Sequence, residues 1–101
     1  MAAEGRADAA SVRALLSGTD PVDRLYGALG AASNATVFEK ELLKGLDDPL
    51  INIRYASAAA LGGATSETAR TRLLGVLNGQ DEWYVKFRAY NSLARMGWSP
   101  R

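Results

Sequence analysis

An internal repeat restricts the folds open to this chain more than any other feature. Segment 53–62, IRYASAAALG, aligns with segment 85–94, VKFRAYNSLA, at a spacing of 32 residues. Apolar, basic and small residues occupy the same places in both segments, at intervals typical of a helix. Self-similarity at this period indicates stacked helix pairs, because a single pair cannot bury both of its apolar stripes.

Two series of leucines extend the repeat to the whole chain. One is spaced by 32 residues and the other by 31: Leu29, Leu61 and Leu93, and Leu15, Leu46 and Leu77. We therefore expect one domain over residues 1–101, with repeats at about 8–33, 36–63 and 66–97 that each consist of a helix A, a short turn and a helix B. The leucines would form successive layers of one stack. The inner stripe of the middle helix B would consist of small and apolar residues: Ile53, Ser57, Ala60, Leu61 and Ala64.

Capping residues mark where the helices begin and end. Asp20-Pro21 and Asp48-Pro49 are predicted to open the second and fourth helices, since Asp accepts hydrogen bonds from free first-turn amides and Pro is tolerated at the first helical position. Thr36 with Glu39 fits a capping box at the third helix. The remaining signals are caps at the fifth and sixth helices and glycines that end the fourth and sixth: Thr65 or Ser66, Asp81, Gly62-Gly63 and Gly97.

The repeats share the pattern Asp, then Val/Ile-Arg/Lys-x-x-Ala-Ala-x-Ala-Leu-Gly. The matching residues are Asp48, Ile53, Arg54, Ala58, Ala60, Leu61 and Gly62 in the middle copy, and Asp81, Val85, Lys86, Ala89, Leu93 and Gly97 in the last. This pattern resembles the HEAT-like repeat of the short type first named for phycobilisome lyase subunits, over about residues 8–97. The resemblance implies an all-α fold: a right-handed α-solenoid (an αα-superhelix) of three helix pairs, six helices in all.

The resemblance also implies a class of function. Such repeats serve as protein–protein interaction or scaffold modules without catalysis of their own, and the alternative is an accessory subunit of a bilin lyase. It further implies an inter-repeat polar ladder in which the basic residue of helix B pairs with the Asp of the preceding turn: Asp48, Arg54 and Lys86. A structural role for these residues is favoured over a substrate-binding role for Arg54.

The last helix carries a second apolar stripe, Trp83, Phe87 and Tyr90, and Trp98 follows it in the tail. Terminal repeats usually turn a polar face to water, so this stripe needs an explanation. Trp98 and the tail could fold back over it and close the core. Alternatively, these four residues form an interface for a protein partner or for a homodimer through the C-terminal helix. A small-molecule pocket is a third interpretation.

Composition argues against most catalytic classes. The chain has no Cys and no His, which removes thiolate metal sites, the commonest general base and the usual hydrolytic triad. We therefore expect no enzyme activity, no catalytic residue, no metal and no cofactor. A net charge of +1 gives no reason to expect nucleic acid as a partner. Four arginines suggest a small basic patch, but a solvated helical face is the favoured interpretation: Arg13, Arg24, Arg70 and Arg72. With neither a signal peptide nor a membrane span in the sequence, a cytoplasmic location is expected.

Overall fold

The computed structural model describes residues 9–100, and within them the fold is all-helical, with six α-helices and no strand. The helices are α1 (Ala9–Leu16), α2 (Pro21–Ala31), α3 (Glu39–Gly45), α4 (Ile51–Ala60), α5 (Glu67–Leu77) and α6 (Trp83–Arg95). Short 3₁₀ turns at Ala32–Asn34 and Leu61–Gly63 continue α2 and α4. The predicted all-α class and the number of helices are confirmed.

Helix contacts follow the order of the chain. In the order of the chain the helices form three pairs, α1–α2, α3–α4 and α5–α6. The second helices of neighbouring pairs contact one another, α2 with α4 and α4 with α6. The first helices do the same, α1 with α3 and α3 with α5. Each first helix also packs on the second helix of its own pair. One hydrophobic cluster runs through all six helices, and its largest fully buried members are Leu42, Leu61, Leu73, Leu93, Val12 and Val85.

The inner stripe of α4 and its 3₁₀ turn is buried as predicted, but both leucine series fail in the first pair. Leu15 is half-buried and lies outside the hydrophobic cluster, against which Leu16 packs instead. Leu61 and Leu93 are fully buried, whereas Leu29 is 56% exposed. The reason is a difference in register. Because α2 begins directly after Asp20 and α4 begins only at Ile51, the first copy is 30 residues before the second and not 32. Ala31, which is fully buried, therefore occupies the place of Leu61.

Helix starts confirm two of the predicted caps and correct three. Asp48 and Asp81 do not cap α4 and α6, because these helices follow Leu50 and Glu82 and have no side-chain cap. Asp20 accepts a hydrogen bond from the Val22 amide and Ser66 from the Ala69 amide. The capping box of Thr36 and Glu39 is wrong, because α3 begins at Glu39 with no side-chain cap. The Glu39 carboxylate instead accepts a hydrogen bond from the hydroxyl of Ser66, so it ties α3 to α5.

The end of α6 is closed by a Schellman motif. Gly97 has φ of 91°, the left-handed region that glycine favours, and its amide bonds to the Ala94 carbonyl at 3.0 Å. The next amide, that of Trp98, bonds to the Leu93 carbonyl at 2.9 Å. This turn directs the tail back along α6 and brings Trp98 onto the helix.

Close backbone approach explains a glycine within α2. A Cβ atom at Gly27 would come within 2.8 Å of the backbone nitrogen of Leu16. The pair α1–α2 can therefore pack at this distance only without a side chain at that position. Among residues 9–100, no helix is both long enough and apolar enough to cross a membrane.

Candidate functional site: a charged ladder, an apolar groove and an aromatic face

Two partly buried arginine–aspartate pairs join successive helix pairs. Arg24 Nε lies 2.8 Å from Asp48 Oδ2, and Arg54 Nε lies 3.0 Å from Asp81 Oδ2. Both pairs are forked, since a second nitrogen donates to the other oxygen at 3.3 Å and 3.2 Å respectively. The four side chains are only 9 to 21% exposed. Forked pairs at this depth hold a fixed geometry and fasten each second helix to the loop before the next one.

Each arginine also binds the loop that precedes its own helix. Arg24 Nη1 donates to the carbonyls of Gly18 and Thr19, and Arg54 Nη1 donates to those of Asp48 and Pro49. One guanidinium thus connects two consecutive loops. Arg24 and Arg54 are structurally equivalent by these contacts. We call the series Arg24 with Asp48, Arg54 with Asp81, and Lys86 the charged ladder.

The charged ladder differs from the predicted one in its partners. Arg54 meets Asp48 only at the backbone carbonyl, and its carboxylate partner is Asp81 of the following pair. Asp48 instead forms its ion pair with Arg24. Aligning Asp20-Pro21 with Asp48-Pro49 displaces Arg24 by two positions from Arg54, so the sequence did not indicate their equivalence. The other arginines of the suggested basic patch are also paired, Arg13 with Glu41, Arg72 with Asp47 and Arg70 with Glu67.

Lys86 occupies the third position of the charged ladder. Its Nζ donates to the carbonyl of Gly79 at 3.2 Å, in the loop before α6, as the two arginines do in their own loops. No carboxylate within residues 9–100 lies at ion-pair distance from it. Lys86 therefore binds the loop before its own helix but has no carboxylate partner among the described residues.

An apolar groove of about 420 Å³ lies between α2 and α4, and α6 contributes Arg88 to its lining. Its floor is made by the small side chains of Ala56 and Ala59 on α4, and one wall by Leu25 and Leu29 on α2. The small residues on α4 leave depth beside α2, and a concave and mostly apolar shape of this kind suits a bound apolar side chain.

A single cation marks the far wall of the groove. The Arg88 guanidinium lies 4.8 Å from the centre of the Tyr55 ring, a cation–π contact that fixes its position. Its Nε is buried and finds no hydrogen-bond acceptor in the part of the chain described. Arg88 therefore places a fixed positive charge at the edge of the groove. No sequence signal pointed to Arg88, because its contact residue Tyr55 lies on a different helix, α4.

The aromatic face of α6 consists of Trp83, Phe87 and Tyr90, which are 74%, 53% and 40% exposed. The predicted closure by Trp98 takes place at one end only: its ring meets Tyr90 edge-on at 5.9 Å. Trp83 stacks edge-on against Tyr84 at 5.3 Å but stays open to solvent on its outer side. The aromatic residues of α6 thus share one face, and Trp83 and Phe87 are each exposed over more than half of their surface.

Acidic residues do not cluster in the part of the chain that the structure describes. Within residues 9–100, no group of three or more acids is placed to hold a metal ion. Asp47 and Asp48, adjacent in the sequence, bind Arg72 and Arg24 respectively.

Comparison of the chain with protein-family models, with curated proteins and with solved structures finds no match.

Proposed function

We propose that the six helices form an α-solenoid of three HEAT-like pairs, which serves as a protein-interaction module without catalysis of its own. The contact order α2–α4–α6 and α1–α3–α5 supports stacked pairs. The charged ladder supports it as well, because each arginine links its own pair to the next. Contacts between neighbouring pairs are the basis of stability in repeat proteins.

The apolar groove carries the proposal. It combines an alanine floor, one leucine wall and one guanidinium held in position on the other side. A partner segment that matches these features is a short amphipathic helix, with apolar side chains on one face to fill the groove and a carboxylate to reach Arg88. We infer a preformed site, because the groove is built from helix faces and not from loops.

A displayed peptide library tests this proposal. The protein is immobilised, and peptides are selected against the wild type and against Ala59→Arg, which fills the groove. The control is Thr71→Arg, which adds the same side chain on the exposed surface of α5. We expect enriched peptides to share an apolar face and an acidic residue, to bind Ala59→Arg at least about tenfold more weakly, and to bind the control as they bind the wild type.

Two results would contradict the proposal. One is the absence of enrichment over an unrelated helical protein, and the other is enrichment of peptides that bind wild type and Ala59→Arg equally. Arg88→Gln should weaken the acidic peptides selectively, since it removes the charge. The second role implied by the resemblance, an accessory subunit of a bilin lyase, stays a prediction that copurification of pigment on co-expression would test.

A further inference from the structure

We propose that this protein associates head to tail, with the aromatic face of α6 in one copy docking on α2 of a second copy. The two surfaces are at opposite ends of the row α2–α4–α6. On α2, the face formed by Val22 and Tyr26 is 57% and 60% exposed. On α6, Trp83 and Phe87 are exposed to a similar or greater extent. This association uses surfaces other than the groove, so it stands apart from the proposed function.

The charged ladder sets the register of this docking. Arg24, Arg54 and Lys86 each donate to the loop before their own helix, so they occupy equivalent positions. Counting from them, Phe87 of α6 is equivalent to Tyr55 of α4. In the same way, Val22 and Tyr26 of α2 are equivalent to Tyr84 and Arg88 of α6.

These equivalent residues already form an interface within the molecule. The centre of the Tyr55 ring on α4 lies 6.2 Å from the centre of the Tyr84 ring and 4.8 Å from the Arg88 guanidinium carbon. Both contacts join α4 to α6. Repeating this interface between copies places Phe87 of one copy against Val22 and Tyr26 of the next. The contact becomes apolar and aromatic on both sides, which suits burial between two exposed faces.

Charge complementarity completes the match. Asp20 accepts from the Val22 amide at 2.9 Å, and Asp48 accepts from the Leu50 amide at 3.0 Å in the same local geometry. Asp48 also binds Arg24 from the preceding pair, whereas Asp20 has no cationic partner within residues 9–100. Docking of α6 on α2 would bring Lys86 to Asp20 of the second copy and add a further step to the charged ladder.

The association is heterologous, because the two docking faces differ. Copies would therefore add at both ends, and the average mass should rise steadily with concentration from the 10.8 kDa of one chain. Without a large buried area the affinity should be modest. We expect the rise in sedimentation experiments between about 10 and 500 μM, as for small transient interfaces.

Blocking each face separately tests the proposal. Phe87→Arg blocks the α6 face and Tyr26→Arg blocks the α2 face, and both residues are exposed, so circular dichroism should show intact helices. We expect each variant alone to stay monomeric and an equimolar mixture to form a species of twice the chain mass. A mixture that stays monomeric would overturn the proposal, as would a wild type that is monomeric at every concentration. A Tyr26→Arg variant that still dimerises would indicate a symmetric α6–α6 contact and overturn it too.

A separate test addresses the proposed contact between Lys86 of one copy and Asp20 of the next. Asp20→Asn keeps a capping oxygen but removes the charge, and Lys86→Glu reverses the charge on the other side. We expect Asp20→Asn to weaken association about threefold to tenfold and Lys86→Glu at least about tenfold. Lys40→Glu, an exposed position on α3, is the matched control and should leave association unchanged. Equal effects of Lys86→Glu and Lys40→Glu would refute a Lys86–Asp20 contact.

Discussion

Removal of Arg54 from the charged ladder should destabilise the protein by more than an ordinary ion pair would. Arg54 donates three hydrogen bonds to Asp81 and two to backbone carbonyls, with the two side chains 21% and 16% exposed. Exposed pairs contribute about 0–1 kcal/mol, and loss of one partner of a buried pair costs about 3–5 kcal/mol. For this intermediate depth we expect Arg54→Met, which keeps an apolar stem, to lower the free energy of unfolding by about 2–3 kcal/mol.

The assay is urea unfolding followed by far-UV circular dichroism, with Arg72→Met as the control. Arg72 pairs with Asp47 at 2.9 Å, but the two side chains are 40% and 73% exposed, so its loss should cost below about 1 kcal/mol. The double variant Arg54→Met with Asp81→Asn should lose less than the sum of the two single changes. Equal costs for Arg54→Met and Arg72→Met, or strict additivity in the cycle, would refute the ladder as a link between helix pairs.

Five further substitutions have a clear expected sign, and two of them, Ser57→Ala and Gly75→Ala, serve as matched controls. Ser92→Ala removes a buried hydroxyl that donates to a carbonyl at the end of α4, and should cost about 1–3 kcal/mol, whereas Ser57→Ala, at a buried hydroxyl with no partner among the described residues, should be neutral or stabilising in the same urea titration. Gly27→Ala should cost about 1–3 kcal/mol because its Cβ would press on the backbone of α1. Gly75→Ala, in an open position of α5, should gain about 0.5–1 kcal/mol, and a loss at both glycines would contradict the packing argument. Gly97→Ala should lower the melting temperature by straining the left-handed turn that ends α6.

Periodicity in the sequence was sufficient to predict the helices and the core of the second and third pairs. The stripe from Ile53 to Ala64 is buried because its spacing follows the helical period, which is a local property. For the same reason the aromatic residues of α6 were found on one face. Nothing beyond local spacing was needed for either result.

Register and long-range partners could not be predicted in the same way. The two Asp-Pro signatures aligned the first two copies by capping chemistry, yet α4 begins two residues later relative to its Asp than α2 does, and this shift exposed Leu29 and hid the role of Arg24. Glu39 fits a local cap by sequence, but Ser66, 27 residues away, offers it a better partner. Such choices depend on which loops meet after the pairs have packed.

Amide shift mapping by NMR with the strongest selected peptide tests the central claim most directly, because it reports where a partner segment binds. If the groove between α2 and α4 is the recognition site, the largest shifts will occur at Ala56, Ala59 and Arg88, and they will be lost in Ala59→Arg. Shifts confined to α1, α3 and α5, on the other row of helices, would contradict it.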